Sequence, residues 1–498
     1  MSGSLGRQVA LGAAFMVAGR LAGRLVGVFS TLILARLLMP EDFGIIALAS
    51  AAFALADVAL STGYTLLLIR RETVDREVYD TAWTMNLLRC ALLAAVTMAS
   101  APLQAWAFGE PRIGPVLVVV AATTLLDGLS SIGMARLQRE LRFGPIFRLQ
   151  ITQRLLSFAF TVLLAVVIGN YWALVLGNLG GKVVTVPYSY ALAPHRPRLC
   201  LSHWREFLGF SKWIFGLNIC SALDGLVPNL LLGALRGVDV TGRYAVAYQL
   251  GAAPVSEIAA PVRQPLYAGY ASVKDDAERL RRSFLDSLAL IGALIVPLSV
   301  GIALTAPEIE RIALGRNWSG TAELIALCAL HALVEYIAVF PQSPLMIRDR
   351  LARMVLISAA TLALRMPLVV AGIWWDGASG MAMALLVTAV ANALLWHHLA
   401  GRELGYRLAT AGRRLARPVL AAAAMSAAVL ALRASLPPQT GALGDALLRL
   451  CILAPAGALA HIGAAAALWW AAGRPPGAET RALEMVRAAM LRWARGRG

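Results

Sequence analysis

The sequence predicts an all-α polytopic membrane protein of about fourteen transmembrane helices, arranged as two six-helix bundles followed by two C-terminal helices. Three observations predict it. Fourteen stretches are apolar and close to the ~20 residues that a helix needs to cross a hydrocarbon core about 30 Å thick. The connections between them alternate between arginine-rich and arginine-poor. Hydrophobic residues make up 59% of the 498 and charged residues only 15%, which excludes an ordinary soluble domain.

In order, the first bundle takes helices over 8–35, 43–69, 82–108, 114–136, 147–168 and 171–193. The second takes 212–235, 244–270, 284–306, 320–345, 354–375 and 378–400, and two more helices follow over 417–435 and 446–472. Arginine-poor connections are short, such as Gly169-Asn170-Tyr171 and Trp375-Asp376-Gly377. The arginine-rich ones include Arg70 and Arg71, Arg136 and Arg139, Arg281 and Arg282, and Arg413 and Arg414. The two longest of these, 194–211 and 401–416, separate the bundles. The organisation is therefore an N-terminal lobe (1–200), a C-terminal lobe (201–405), the last two helices (406–472) and a basic tail (473–498). In the tail, Leu483, Val486, Met490, Leu491 and Trp493 lie among arginines in a helical pattern, read either as an amphipathic helix on the inner headgroups or as a disordered tail.

Orientation follows from the basic residues, which resist translocation. With a cytoplasmic N-terminus the inside segments hold 30 Lys/Arg and the outside loops 6. An even number of spans then places both termini in the cytoplasm. The same asymmetry accounts for most of the +17 net charge, so nucleic acid is not implied as a partner. None of the five cysteines has metal or disulfide-framework spacing, and buried free thiols are expected. The sequence has no phosphate-cradling Gly-Lys-Ser/Thr loop, no His-rich site and no nucleophile elbow, so neither a cofactor nor enzymatic chemistry is implied.

A weak internal repeat supports division after the sixth helix. Residues 34–49 align without gaps to 232–247, with identities at Leu34/Leu232, Leu37/Leu235, Gly44/Gly242, Ala47/Ala245 and Ala49/Ala247. Each copy falls at the first outside turn of its half. Two halves in the same orientation imply a pseudo-two-fold axis along the membrane normal, a transporter arrangement.

Four segments carry a family resemblance: LARLLMPEDFG (34–44), ARLQRELRF (135–143), GRYAVAYQLGAAPVSEIAAPV (242–262) and LGRNW (314–318). In this order, across roughly residues 1–400, the sequence resembles the Wzx-like polysaccharide transport family, whose superfamily also holds multidrug extruders and the lipid II flippase. The resemblance implies two six-helix bundles around a central cavity that alternate access to move lipid-linked oligosaccharide outward. It implies a bacterial inner-membrane location, with membrane lipid and lipid-linked oligosaccharide as partners. Candidate protein partners are a polysaccharide polymerase and glycosyltransferases. Two departures stand out. Ala268 replaces the proline usual at the end of helix 8, and Ile347-Arg348-Asp349-Arg350 replaces a Gly-Arg-Pro turn after helix 10.

Nine of the 45 Lys/Arg fall inside the apolar segments, where a charge is expensive and marks function. In helix 1, Arg20 and Arg24 share one face beside a ridge of Gly19, Gly23 and Gly27. Counted from Gln8 at 1.5 Å per residue, they lie about 18 and about 24 Å deep. Guanidinium forks suit phosphate oxygens, and the resemblance implies a carrier bearing pyrophosphate. Arg20, Arg24, Arg154, Lys182, Arg263 and Arg365 are the candidate cavity cations. Asp57, Asp127, Asp224 and Glu257 lie near the midplane as candidates for ion coupling or for charge pairing, with Asp57 and Asp224 offering one coupling carboxylate per lobe. Glu335 sits somewhat inward. Arg89 is close enough to the inner face to snorkel, and Arg433 and Arg449 to the outer. The expected function is a flippase of polyprenyl-pyrophosphate-linked oligosaccharide for surface polysaccharide, exopolysaccharide or lipopolysaccharide assembly. The rivals are a drug exporter of the same superfamily, which an arginine-lined cavity disfavours, and a non-transporting scaffold for biosynthetic enzymes.

Overall fold

A computed structural model describes residues 23, 26–27, 29–60, 75–140, 142–204, 212–348, 350–437 and 442–474, without the side chains of 212–214, 260–265, 268 and 316. Every regular element among these residues is helical, and the chain divides into two compact units, Met1–Val246 and Ala247–Gly498.

In the first unit residues 29–37 are helical, and α1 (Pro40–Ala59), α2 (Arg76–Ala107), α3 (Ile113–Gly128), α4 (Gly133–Arg139), α5 (Phe143–Ile168), α6 (Trp172–Leu192), α7 (Lys212–Arg236) and the start of α8 (Val238–Ser272) follow. Pro40 starts α1 because the first helical position has no use for an N–H. Asp42 then accepts from the Met39 backbone N–H at 2.9 Å and from that of Tyr171 at 2.8 Å, so one carboxylate caps α1 and ties it to the start of α6. Behind it, Ile45, Leu48, Ile113, Val116 and Leu117 are fully buried together with Ala49, Ala101 and Val175.

The sequence predicts one helix over 114–136, and here the structure differs. The chain breaks after Gly128, and α4 is bent by 60° from α3. Ser131 fills the break: its N–H donates to Ser189 Oγ at 3.0 Å, its hydroxyl donates to the Ala193 carbonyl at 2.7 Å and it accepts from the Gly133 N–H at 3.2 Å. Those bonds satisfy polar groups that a continuous helix would have paired internally.

The second unit holds the rest of α8, α9 (Ala277–Leu304), α10 (Ala306–Ala313), α11 (Thr321–Val339), α12 (Gln342–Ile347), α13 (Leu351–Leu404), α14 (Leu408–Ser435) and α15 (Leu443–Ala471). A straight helix of 54 residues would run roughly 80 Å, far beyond a bilayer. Instead α13 is broken at Asp376 and Gly377, where Gly377 has φ 54°. The arms fold back closely, because a Cβ on Gly372 or Gly380 would strike the other glycine's carbonyl oxygen. At the far end Arg348 donates to the Glu403 carbonyl at 2.5 Å, while Arg350 and Arg353 hold the Glu403 carboxylate at 3.2 and 2.7 Å. The charged stretch that stands in place of Gly-Arg-Pro thus supplies a clamp across the open end of this hairpin.

Among the described residues nine helices are long and apolar enough to cross a membrane, or ten when bent α3–α4 counts as one span. Large apolar side chains on them, such as Val167, Leu356 and Leu459, face outward, a surface suited to lipid. The chain is an all-α, multi-pass membrane protein.

Candidate functional site

The first unit carries two ion pairs within its spans. Arg89 of α2 meets Asp57 of α1. Lys182 of α6 meets Asp127 of α3 at 2.5 Å. In both the carboxylate is the more open partner: Asp57 is 42% exposed against 19% for Arg89, and Asp127 54% against 17% for Lys182. Arg89, expected to snorkel to the inner face, meets a carboxylate.

Two cavities adjoin these pairs. One, of about 330 Å³, is lined by Asn86, Arg89, Gln138, Gln153 and Thr185 among others. The other, of about 230 Å³, is lined by Ser50, Phe53, Val120, Thr123 and Asn178 among others. Asp127 and Lys182 belong to both linings, so the pair stands on the wall that the two compartments share. With Asp127 more than half exposed, water reaches its side of the pair, and Lys182 is the more enclosed partner.

Arg154 reaches from α5 to the first helix. Its guanidinium donates to the Gly23 carbonyl at 3.2 Å and lies where any Gly23 side chain would have to be. Gly23 belongs to the ridge expected in helix 1; at Gly27, the next glycine along it, a Cβ would meet nothing within 4 Å, and Gly19 lies outside the described residues. Arg20 and Arg24 lie outside the described residues, as does the side chain of Arg263.

In the second unit Arg365 is 2% exposed and donates to Glu335 at 2.9 Å and to Thr388 Oγ1 at 3.1 Å. Asn392 donates to the same carboxylate at 3.5 Å, and His331 lies one helical turn away, 3.9 Å from it. Arg365 is therefore embedded in a side-chain network between α11 and α13. Asp224 and Glu257 are both half-buried. The structure brings Asp57 and Asp127 to basic partners and places Arg154 against backbone.

Sequence reasoning did not single out His331, Thr388 or Asn392. The four-residue spacing of His331 and Glu335 on one helix face was an available signal. Thr388 and Asn392 carry none, since their role depends on how the arms of α13 fold. Arg433 pairs with Glu308 at 2.6 Å and Arg449 with Asp445 at 3.2 Å, so both cations placed within snorkelling reach of the outer face have carboxylate partners. Among the described residues no group of His, Cys, Asp and Glu side chains is arranged to hold a metal.

Comparison with known proteins agrees with this architecture. A family model described as "Polysaccharide biosynthesis protein" matches residues 33–323, more than half of the chain. The lipopolysaccharide biosynthesis protein WzxC of Escherichia coli (strain K12) is 22% identical over 74% of this chain and 76% of its own. The teichuronic acid biosynthesis protein TuaB of Bacillus subtilis (strain 168) is 20% identical over 82% and 84%. Among solved structures, the lipid II flippase MurJ in an inward closed conformation is similar with a TM-score of 0.74 at 12% identity, over 93% of this chain and 100% of that one. An inward-facing multidrug resistance MATE family transporter of the MOP superfamily gives 0.57 at 14% identity, over 78% and 98%. At such identities the structural likeness carries the fold. The chain belongs to the polysaccharide biosynthesis protein family.

Proposed function

We propose that this protein is a flippase that moves polyprenyl-pyrophosphate-linked oligosaccharide across the bacterial inner membrane by alternating access. The observation that carries the reading is the Lys182–Asp127 pair shared by the linings of two cavities inside one unit. A phosphate arriving beside Lys182 competes with Asp127 for the ammonium, so that the anion itself opens the partition. Arg20, Arg24, Arg154 and Arg263 are proposed to continue the cationic path. The full arrangement is fourteen spans in two six-helix bundles, divided near residues 200 and 405, with both termini cytoplasmic.

A second reading, export of organic cations, is favoured by one observation: Asp127, the carboxylate, is the more exposed member of the pair. The experiment that separates them uses Lys182→Gln, Asp127→Asn and the double variant at matched membrane levels. The flippase reading expects polysaccharide export to be lost in Lys182→Gln and in the double variant, with cation resistance unaffected throughout. Loss of resistance to organic cations in Asp127→Asn, with export intact in Lys182→Gln, overturns it.

A further inference from the structure

Beyond the spans, the first unit has a third cavity of about 760 Å³, at the ends of α2, α4 and α6 that adjoin arginine-rich connections. Among the described residues its lining includes Arg76, Arg136, Arg139, His195 and Arg196, with one carboxylate, Glu140. Arginine-rich connections by themselves follow from insertion, which asks only that basic residues stay on one side. It does not ask that four guanidiniums from three elements converge on one concavity.

The concavity is held open by specific bonds. Ser131 joins the start of α4 to the end of α6 through Ser189 and Ala193. Gly133 completes that join, since a side chain there would collide with the Ala193 carbonyl. The segment after α6 is strapped along α2: His195 Nε2 lies 2.8 Å from Asp80, the Arg198 N–H donates to Asp80 at 3.3 Å and the Cys200 N–H donates to Thr84 at 3.1 Å. Asp80 also lies 3.7 Å from Arg76 Nε and offsets part of that guanidinium's charge. Glu140 is shared by Arg136 at 2.8 Å and Arg142 at 3.6 Å. Among the described residues the four lining guanidiniums have Asp80 and Glu140 as carboxylate neighbours, the second shared with Arg142, and this excess of positive charge suits a ligand that brings its own negative charge.

We propose that this cleft binds the phosphate-bearing headgroup of an anionic phospholipid from the leaflet that the arginine-rich connections face. Its position at the ends of the spans puts it at headgroup depth, and its volume is that of a small-molecule site. Basic pockets between transmembrane helices on the arginine-rich side recognise such headgroups. The site is separate from the cavities between Lys182 and Asp127 and does not depend on what the protein transports.

The test is retention of lipid by the purified full-length protein, measured by native mass spectrometry after exchange into micelles containing phosphatidylglycerol or phosphatidylcholine. Arg136→Ala/Arg139→Ala and Arg196→Ala are compared with Arg279→Ala/Arg282→Ala, which removes equal charge from an exposed basic helix start elsewhere. Phosphatidylglycerol retention is expected to fall about fivefold per arginine removed from the cleft, an interaction worth about 1 kcal/mol each, and to be unchanged in the Arg279/Arg282 control. Arg196→Ala removes a side chain from the non-helical segment after α6, so its loss of lipid cannot be ascribed to a damaged helix. Equal retention of phosphatidylcholine, wild-type retention in both cleft variants, or equal loss in the control overturns the proposal. Full displacement of the lipid by millimolar inorganic phosphate also overturns it, because the cleft would then be a site for free phosphate.

Discussion

Gly44 and Gly242 meet in a reciprocal contact: a Cβ on Gly44 would strike the carbonyl oxygen of Val238, and a Cβ on Gly242 would strike that of Pro40. The four residues are two equivalent pairs in the repeat, since Pro40 and Val238 stand at the same offset as the glycines. A contact in which each partner does to the other what is done to it is the signature of a local two-fold axis. The repeat is thus visible as packing between α1 and the start of α8, where only glycine lets the backbones approach.

Alanine at either position is expected to force those backbones apart, at about 1–3 kcal/mol. Thermal unfolding in detergent should show lower midpoints for Gly44→Ala and Gly242→Ala. Gly225→Ala is the comparison, because a Cβ there meets nothing within 4 Å and alanine favours the helix. Equal midpoints for all three variants would rule out the close approach.

The Arg365–Glu335 pair yields a different expectation. With Arg365 nearly inaccessible, removing either partner leaves an unpaired charge inside the second unit, at about 3–5 kcal/mol. Arg365→Met and Glu335→Gln should each lower membrane abundance and thermal stability, and the double variant should recover most of both. If export also returns in the double variant, Arg365 is a structural pair. Export lost while stability returns would give it a part in transport beyond structural pairing.

Legibility in the sequence divided along a physical line. Span positions and the Trp375–Gly377 turn are local properties of hydropathy and glycine, and among the described residues nine or ten spans lie near where those signals put them. The break near Ser131 was not legible, because its hydrogen bonds come from Ser189 and Ala193, about sixty residues away. Partners of the buried charges were equally hidden: nothing within α2 says that Arg89 turns to Asp57 and not to headgroups. The repeat showed that Gly44 and Gly242 are equivalent but gave no hint that they touch.

At the turn between α2 and α3, Glu110 accepts from Arg112 Nε and Nη2, both at 2.7 Å, and from the Arg112 N–H at 3.2 Å. The hydrogen bonds from the guanidinium, followed by that backbone bond, hold the Glu110 carboxyl below its ordinary 4.5. A lowered folded-state pKa stabilises above the unfolded value and is lost as pH falls through the folded one. Stability contributed by this turn should therefore be complete above about pH 4.5 and decline below it. Glu110→Gln should reduce the loss of thermal midpoint between pH 5 and pH 3; an identical decline in the variant would assign the acid sensitivity elsewhere.

Orientation is open to a direct measurement. Asn170 sits in the tight turn between α5 and α6, and Lys274 in the exposed stretch between α8 and α9. If basic residues have been held on the cytoplasmic side, these turns lie on opposite faces of the membrane. The native cysteines are free thiols, with Cys451 exposed, so the experiment begins from a variant in which all five are replaced. Asn170→Cys should react with a membrane-impermeant maleimide in intact cells, and Lys274→Cys only after the cells are opened. Lys274 is preferred to Arg281 in the same region, because Arg281 donates to the Gly405 carbonyl at 3.1 Å and its loss would loosen α9 from the end of α13. Labelling of Lys274→Cys in intact cells, with Asn170→Cys protected, would invert the topology and place the arginine-lined cleft on the opposite leaflet.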